Sequence, residues 1–302
     1  MQTTVVVPLP KNPQATVTKP ATPTGLVVPK RTKYLVSSEI KQLLGAIDTM
    51  VSQGQNPNIL VSGNQGIGKS ELPAQYAASR NRPLAVLEIG RLSDANQIFG
   101  QMDLKDGQTV YTKGLFTEAI TTPDAVIHLQ EINRPENDKS LNAIFSVLDD
   151  NQRQIWIDEL QDYIHVAPGV TFFASLNEGF EFVGTLPLDE ALRNRFHFKV
   201  QLEQLPESAE RRLLADKCGL GFNDIDKLMR VVKQLRNNTQ LPTYISTRDL
   251  VYMAKLIQVD LPVALALKSV IGGDPNKMES ILLSQHLTGA SSTGQEVQYD
   301  YL

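Results

Sequence analysis

The chain has 302 residues, with 29 Lys and Arg against 33 Asp and Glu and a formal net charge of −4, so it is long enough to bury a core without disulfides or a structural metal. Its single cysteine, Cys218, excludes an internal disulfide framework and fits a reducing compartment. No apolar stretch nears the roughly 18 residues of a membrane span, no export signal opens the chain and no polybasic run argues for nucleic acid, so a cytoplasmic protein without a membrane role is expected.

In chain order, residues 1–33 hold six of the seventeen prolines and show no helical period, which predicts an extended or disordered N-terminal arm. From Tyr34 the pattern changes. Ile40, Leu43, Leu44, Ile47 and Met50 recur at helical spacing, and Gln53 to Asn58 end that helix. Strand-like runs then alternate with helical ones. Strands are expected over Asn58–Ser62, Pro83–Ile89, Ala125–Leu129 and Val170–Leu176, with helices over Lys69–Ser79, Leu115–Ile120 and Asn137–Leu148. Such alternation predicts an α/β domain over 34–200, a parallel sheet flanked by helices. Beyond about Gln201 the strand signals stop. Pro206–Cys218, Asn223–Arg236, Thr247–Gln258 and Leu261–Ile271 read as amphipathic helices of a small all-helical domain over 201–287, and residues 288–302 read as a flexible tail.

Directly after the strand Ile59-Leu60-Val61 comes Gly63-Asn64-Gln65-Gly66-Ile67-Gly68-Lys69-Ser70, and then a helix. This is the GxxxxGK[ST] phosphate-binding loop in its strand–loop–helix setting. Glycines let main-chain N–H groups close around phosphates, a lysine neutralises the β- and γ-phosphates of ATP, and a serine hydroxyl ligates Mg²⁺. The helix N-terminus adds its positive end.

A nucleotide hydrolase also needs a second strand that brings an acidic group to the phosphates. The candidate is Ala125-Val126-Ile127-His128-Leu129-Gln130-Glu131-Ile132-Asn133-Arg134. Here the sequence resembles the AAA+ ATPases of the MoxR group, whose second strand ends in an Asp-Glu-Ile-Asn-Arg type motif. The resemblance spans about residues 34–272 and is nearest to the CbbQ, NirQ and NorQ branch. It implies that Glu131 polarises the attacking water and that Gln130 stands where the family has an aspartate near Mg²⁺. A neutral amide supplies no charge, so ATP binding is expected to survive this change better than turnover does. His128 reads as a packed or hydrogen-bonded sheet residue.

The segment from Gln97 to Ile120 looks like the branch's hairpin insertion, with Asp106-Gly107 as the turn. A second hairpin is readable in Gln154–Ile157 and Tyr163–Val166. In the family such insertions line the pore of a ring. The resemblance makes Asn177 the polar residue that holds the attacking water. It makes Arg195, with Arg193 as partner or substitute, the arginine offered to a neighbouring subunit. Ser246-Thr247-Arg248 is similar to the element whose arginine reaches the γ-phosphate from the helical lid. An arginine in the first turn of a helix opposes the helix dipole, so Arg248 needs another partner.

The resemblance therefore implies an AAA+ ring, a homo-oligomer and most simply a hexamer. ATP would drive remodelling or activation of a partner protein, which in related systems carries a von Willebrand A domain. Two alternatives stay open at the level of sequence. One is a scaffold ring that ATP stabilises and whose hydrolysis is vestigial; the other is a nucleotide-driven subunit of a nucleic-acid-processing complex.

Overall fold

The computed structural model describes residues 26–89, 98–105, 107–133, 144–176, 188–237, 244–272 and 298–302. Its centre is a five-stranded parallel sheet in the order β10 (Phe198–Leu202), β2 (Asn58–Gly63), β9 (Thr171–Ser175), β6 (Val126–Gln130), β3 (Leu84–Glu88). The runs are apolar without strict alternation because helices cover both faces. Phe172 faces one apolar cluster, with Phe116, Ile120, Ile127 and Leu129. Phe173 faces the other, with Leu44, Ile47, Ile59, Tyr76 and Val126. On these faces lie α1 (Ser38–Ser52), α2 (Glu71–Ser79) and α3 (Leu115–Thr121). Residues 144–148 are helical, whereas the earlier part of the helix expected from Asn137 lies outside the described residues.

The expected strands are present. β10 is an addition: Phe-Lys-Val-Gln-Leu is too short and too polar on one face to stand out, yet it pairs in parallel with β2 and completes the sheet. At the opposite edge Val27 bridges to Leu84 and Leu26 is buried, so the residues after 25 cover the open side of β3.

The amino ends of the strands are tied together by Arg82, which is 7% exposed. Its guanidinium donates to the main-chain oxygens of Asp124 and Gly169, to Thr171 Oγ1 at 3.0 Å and to Tyr76 Oη at 3.0 Å. Burial lowers its pKa, and the partners offset that effect.

Two antiparallel hairpins project from the sheet: β4 (Gly100–Lys105) with β5 (Gln108–Lys113), and β7 (Gln154–Ile157) with β8 (Asp162–His165). Gly107 turns the first at φ +77°, as its position after Asp106 predicts. Trp156 and Tyr163 meet edge to face across the second, 5.0 Å apart.

After β10 the chain builds a helical lobe of α5 (Glu207–Cys218), α6 (Phe222–Arg236), α7 (Thr247–Gln258) and α8 (Val263–Ile271). Its separate core holds Leu214, Leu228, Met229, Val232, Leu250 and Met253. Within it Glu210 is fully buried and receives both Arg236 terminal nitrogens, at 2.7 and 3.0 Å. Thr247 Oγ1 donates to the same carboxylate at 3.2 Å.

The tail expectation needs correction at its end. Tyr299–Tyr301 is a strand, β11, paired antiparallel with β1 (Leu35–Ser37), with Tyr299 opposite Ser37 and Tyr301 opposite Leu35. Two aromatic side chains in three residues supply the apolar contacts that a Ser, Thr and Gly-rich segment lacks. Residues 288–297 of the expected tail lie outside the described residues.

Candidate functional site

The loop between β2 and α2 begins at the carboxyl edge of the sheet, where open α/β sheets receive ligands. Its three glycines all have positive φ: 141° at Gly63, 76° at Gly66 and 103° at Gly68. Space demands glycine as well, since a Cβ on Gly63 would lie 2.5 Å from the main-chain oxygen of Leu202. A Cβ on Gly66 would lie 2.3 Å from Ser246 Oγ. The loop is thus folded tightly against β10 on one side and the helical lobe on the other.

Lys69 Nζ donates to the main-chain oxygens of Gly63 and Asn64, both at 2.7 Å. Its pKa falls to about 8, first through burial and then through the nearby Arg248, with Glu131 acting against the shift. Ser70 ends the loop and leads into α2, whose first turn carries Glu71.

Gln130 is the last residue of β6, and Glu131 follows with φ +53°. A left-handed backbone is uncommon for glutamate and turns the chain sharply out of the strand. Ile132 N–H then donates to Ser175 O at 3.1 Å, fixing that turn against β9. His128 sits inside the sheet, with Nε2 3.1 Å from Ser175 Oγ. Its pKa is lowered to about 3 by burial, so it is neutral and structural, as its strand position suggested.

The helical lobe reaches the loop through one corner. Ser246 caps α7 in a reciprocal capping box with Asp249, which accepts from Ser246 N–H at 2.9 Å. Arg248 N–H donates to Gly66 O at 3.1 Å. Gln65, Gly66, Gly68, Lys69, Ser70, Gln130, Glu131, Ser175, Leu176 and Arg248 together border a cavity of about 110 Å³. Eight residues expected at the site therefore meet in space: Gln65, Gly66, Gly68, Lys69, Ser70, Gln130, Glu131 and Arg248. Asn177 follows the cavity-lining Leu176 but lies, like Arg134, outside the described residues.

A larger cavity of about 460 Å³ adjoins the first and shares Gly66, Gly68, Ser70 and Arg248 with it. Tyr34, Val36, Ile40, Ile67, Leu202 and Tyr252 are among its other walls. Its size falls within the roughly 300–1,000 Å³ of small-molecule sites. Sequence reasoning missed this half. Tyr34 Oη donates to Gly68 O at 3.1 Å, and burial with the nearby Glu71 pushes its pKa well up. No spacing rule links residue 34 to residue 68, so no local signal announced it.

Neither Arg193 nor Arg195 borders either cavity of its own chain. Both belong to the segment around the short helix α4 (Glu190–Arg193), capped by Asp189. Arg195 donates to Ala191 O at 3.0 Å, lies 3.6 Å from Asp149 and stands over the Phe145 ring. Its Nε is buried without a hydrogen-bond partner among the described residues.

Residues 58–196 match the AAA domain of the dynein-related subfamily, and residues 210–281 match the CbbQ/NirQ/NorQ C-terminal family. BssE of Thauera aromatica, which its name calls a chaperone, is 44% identical over 254 residues, covering 84% of this chain and 87% of that protein. NorQ of Paracoccus denitrificans is 32% identical over 202 residues, 66% of this chain and 72% of that protein. Among solved structures, a point mutant of Thermotoga maritima RuvB shares the fold at a TM-score of 0.52 and 17% identity, over 84% of this chain and 73% of that one. The first family match falls on the sheet lobe and its phosphate-binding loop, and the second on the helical lobe that seats Arg248. The chain belongs to the MoxR-type AAA+ ATPases, close to the CbbQ/NirQ/NorQ branch.

Proposed function

We propose that the chain binds ATP with Mg²⁺ between its two lobes and hydrolyses it within a ring of identical subunits, a hexamer, to remodel or activate a partner protein. One observation carries the reading: Lys69, Ser70, Gln130, Glu131 and Arg248, from three separate regions of the sequence, border a single cavity at the carboxyl edge of the sheet. In this reading the phosphates lie in the smaller cavity and the nucleoside in the larger. Lys69 leaves the carbonyls of Gly63 and Asn64 for the phosphates, and the N–H groups of the glycine loop close around them. Arg248 meets the terminal phosphate from the helical lobe. Glu131, with Asn177, orients the attacking water.

The donor set suits Mg²⁺. The Ser70 hydroxyl and the Gln130 amide are hard oxygen donors on one cavity wall, beside the Glu131 carboxylate. Among the described residues no group of three or more His, Cys, Asp or Glu could hold a metal alone, which fits a cation that arrives on the nucleotide's phosphates. Held by Ser70 and Gln130, Mg²⁺ would supply neutralisation of charge on the β- and γ-phosphates. Gln130 contributes no charge to it, so turnover is slow until a partner tightens the site.

Arg195, with Arg193 beside it, acts on the neighbouring subunit's nucleotide. Its absence from the cavities of its own chain supports that assignment. The partner is a protein, of the von Willebrand A type found with this branch, and the chaperone name of BssE supports a remodelling role. Replacing Lys69 by Ala is expected to weaken ATP binding roughly 10- to 100-fold by calorimetry, the range of about 1.5–3 kcal/mol for a charge-assisted hydrogen bond. Unchanged affinity would remove the site assignment. A second reading, an ATP-stabilised scaffold, draws on Gln130 alone; it predicts assembly with ATP and no turnover under any condition.

A further inference from the structure

β11 lies across the junction of the two lobes, at the edge of the larger cavity, and Tyr299 is part of that cavity's wall. Its contacts go in both directions. Toward the sheet lobe it pairs with β1, Leu302 N–H donates to Tyr34 O at 3.3 Å, and Asp300 accepts from Lys41 at 2.5 Å. Arg31 donates to Leu302 O at 2.9 Å, and Lys33 Nζ stands 4.9 Å over the Tyr301 ring. Toward the helical lobe the Tyr301 hydroxyl donates to Asp216. Arg212 stacks 4.6 Å from the Tyr301 ring centre and donates to Tyr299 O at 3.3 Å. Leu35 of the sheet lobe, Ala209 and Leu213 of α5, and the rings of Tyr299 and Tyr301 form one apolar cluster.

We propose that β11 is a working part of the nucleotide site: a strap that joins the lobes over the nucleoside cavity, with Tyr299 as a binding residue and Asp300 and Tyr301 as positioning residues. The inference rests on the assignment of ATP to this cleft. A nucleotide held between two lobes leaves when they part, and every contact that spans them opposes that parting. β11 spans them at the mouth, through three residues whose side chains all have a defined partner. The strap therefore sets how long nucleotide stays, while the phosphate loop and Arg248 set whether it is recognised. Residence time is the quantity that an ordering device changes most.

The geometry supplies two cuts, one mainly toward each lobe. Asp300→Lys breaks the sheet-lobe tie to Lys41, sets two ammonium groups against each other and also removes the looser 4.0 Å pair with Arg212 of α5. Tyr301→Phe removes the hydroxyl with its bonds to Asp216 and Arg212 on the helical lobe and keeps the ring. A strap fails when either end is cut, so the two effects should not add. The test is stopped-flow release of a fluorescent N-methylanthraniloyl ADP from the full chain, with Lys227→Ala, an exposed change on α6, as control. Asp300→Lys should speed release about tenfold, Tyr301→Phe a few-fold, and the double variant no more than Asp300→Lys alone. Lys41→Asp combined with Asp300→Lys should move release back toward the wild-type rate. Release at the wild-type rate in both single variants overturns the strap, as does strict additivity in the double variant. Wild-type protein that binds no fluorescent ADP at all overturns the cleft assignment instead, so the two failures are distinct. Tyr301→Phe keeps the ring and its apolar contacts, so it remains informative if the charge reversal hinders folding.

Discussion

On the proposed reading, Gln130 sets the pace of the site. Its side chain borders the phosphate cavity where the family carries a carboxylate, and Glu131 beside it is forced into a left-handed turn by the end of β6. Restoring charge with Gln130→Asp is expected to raise turnover several-fold with little change in ATP affinity, while Glu131→Gln lowers whatever turnover exists. A steady-state phosphate-release assay checks both, and equal rates in native protein and Gln130→Asp would show that the position has no part near the metal. Lys69 adds a pH dependence. Its pKa in the free protein is lowered to about 8, and triphosphate beside it raises that value, so binding takes up a proton once the pH passes 8. Affinity for ATP should therefore fall between pH 8 and pH 9, approaching tenfold at most, and Lys69→Arg, charged throughout, should flatten that decline. Calorimetry across pH 7 to 9 reads it directly. Lys69 was legible in the sequence because a short motif fixes its type and its neighbours, and Gln130 because it departs from the strand-end pattern that the resemblance supplies. Tyr34 was not, since its contact with the loop depends on how the residues before β1, bonded through Lys30 and Thr32 to Gln75 and Glu71, run along α2.

At the scale of elements, the corner between the glycine loop and α7 joins recognition to lobe closure. Gly66 fits under Ser246 because it has no Cβ, and Arg248 N–H bonds the same residue's carbonyl. Gly66→Ala must either push Ser246 away or distort a loop at φ 76°, at a strain of about 1–2 kcal/mol. The expected outcome is weaker ATP binding together with a Tm a few degrees lower, measured by calorimetry and thermal melting; an intact affinity would show that α7 adapts. Behind this corner the buried Glu210–Arg236 pair and Thr247 hold the start of α7, with Arg236 also donating to Ile245 O at 2.8 Å. The sequence started a helix at Thr247, and it left Arg248 in need of a partner against the helix dipole. It offered no sign of Glu210, because a carboxylate in α5 meets an arginine in α6 only once the lobe has packed. The strands β6 and β9 were legible as continuous apolar runs, while β10, with lysine and glutamine alternating outward, resembled ordinary surface chain. β11 escapes a sequence reading for a related reason: composition averaged over 288–302 conceals three residues that have tertiary partners.

For the molecule as a whole, Arg195 borders neither cavity of its own chain, and its buried Nε lacks a hydrogen-bond partner among the described residues. In the proposed ring that guanidinium would face a phosphate on the neighbouring subunit. The rate per subunit should rise with protein concentration as rings form. Arg195→Ala should cut turnover by up to about a thousandfold while leaving ATP affinity near native. Mass photometry alongside the rate measurement checks the link, and a concentration-independent rate from a monomer would break it.

Arg82 gives the sheet two unlike margins. At the amino margin one guanidinium satisfies carbonyls from the turns before β6 and β9, in a setting that admits little water. At the carboxyl margin the backbone bends through unusual torsions and leaves space for a guest. The buried bonds of Arg82 hold the margin away from the two cavities, so the other margin can carry strain and polar groups. A residue such as Gln130 can therefore be exchanged, and the enzyme's pace retuned, without the fold having to be renegotiated.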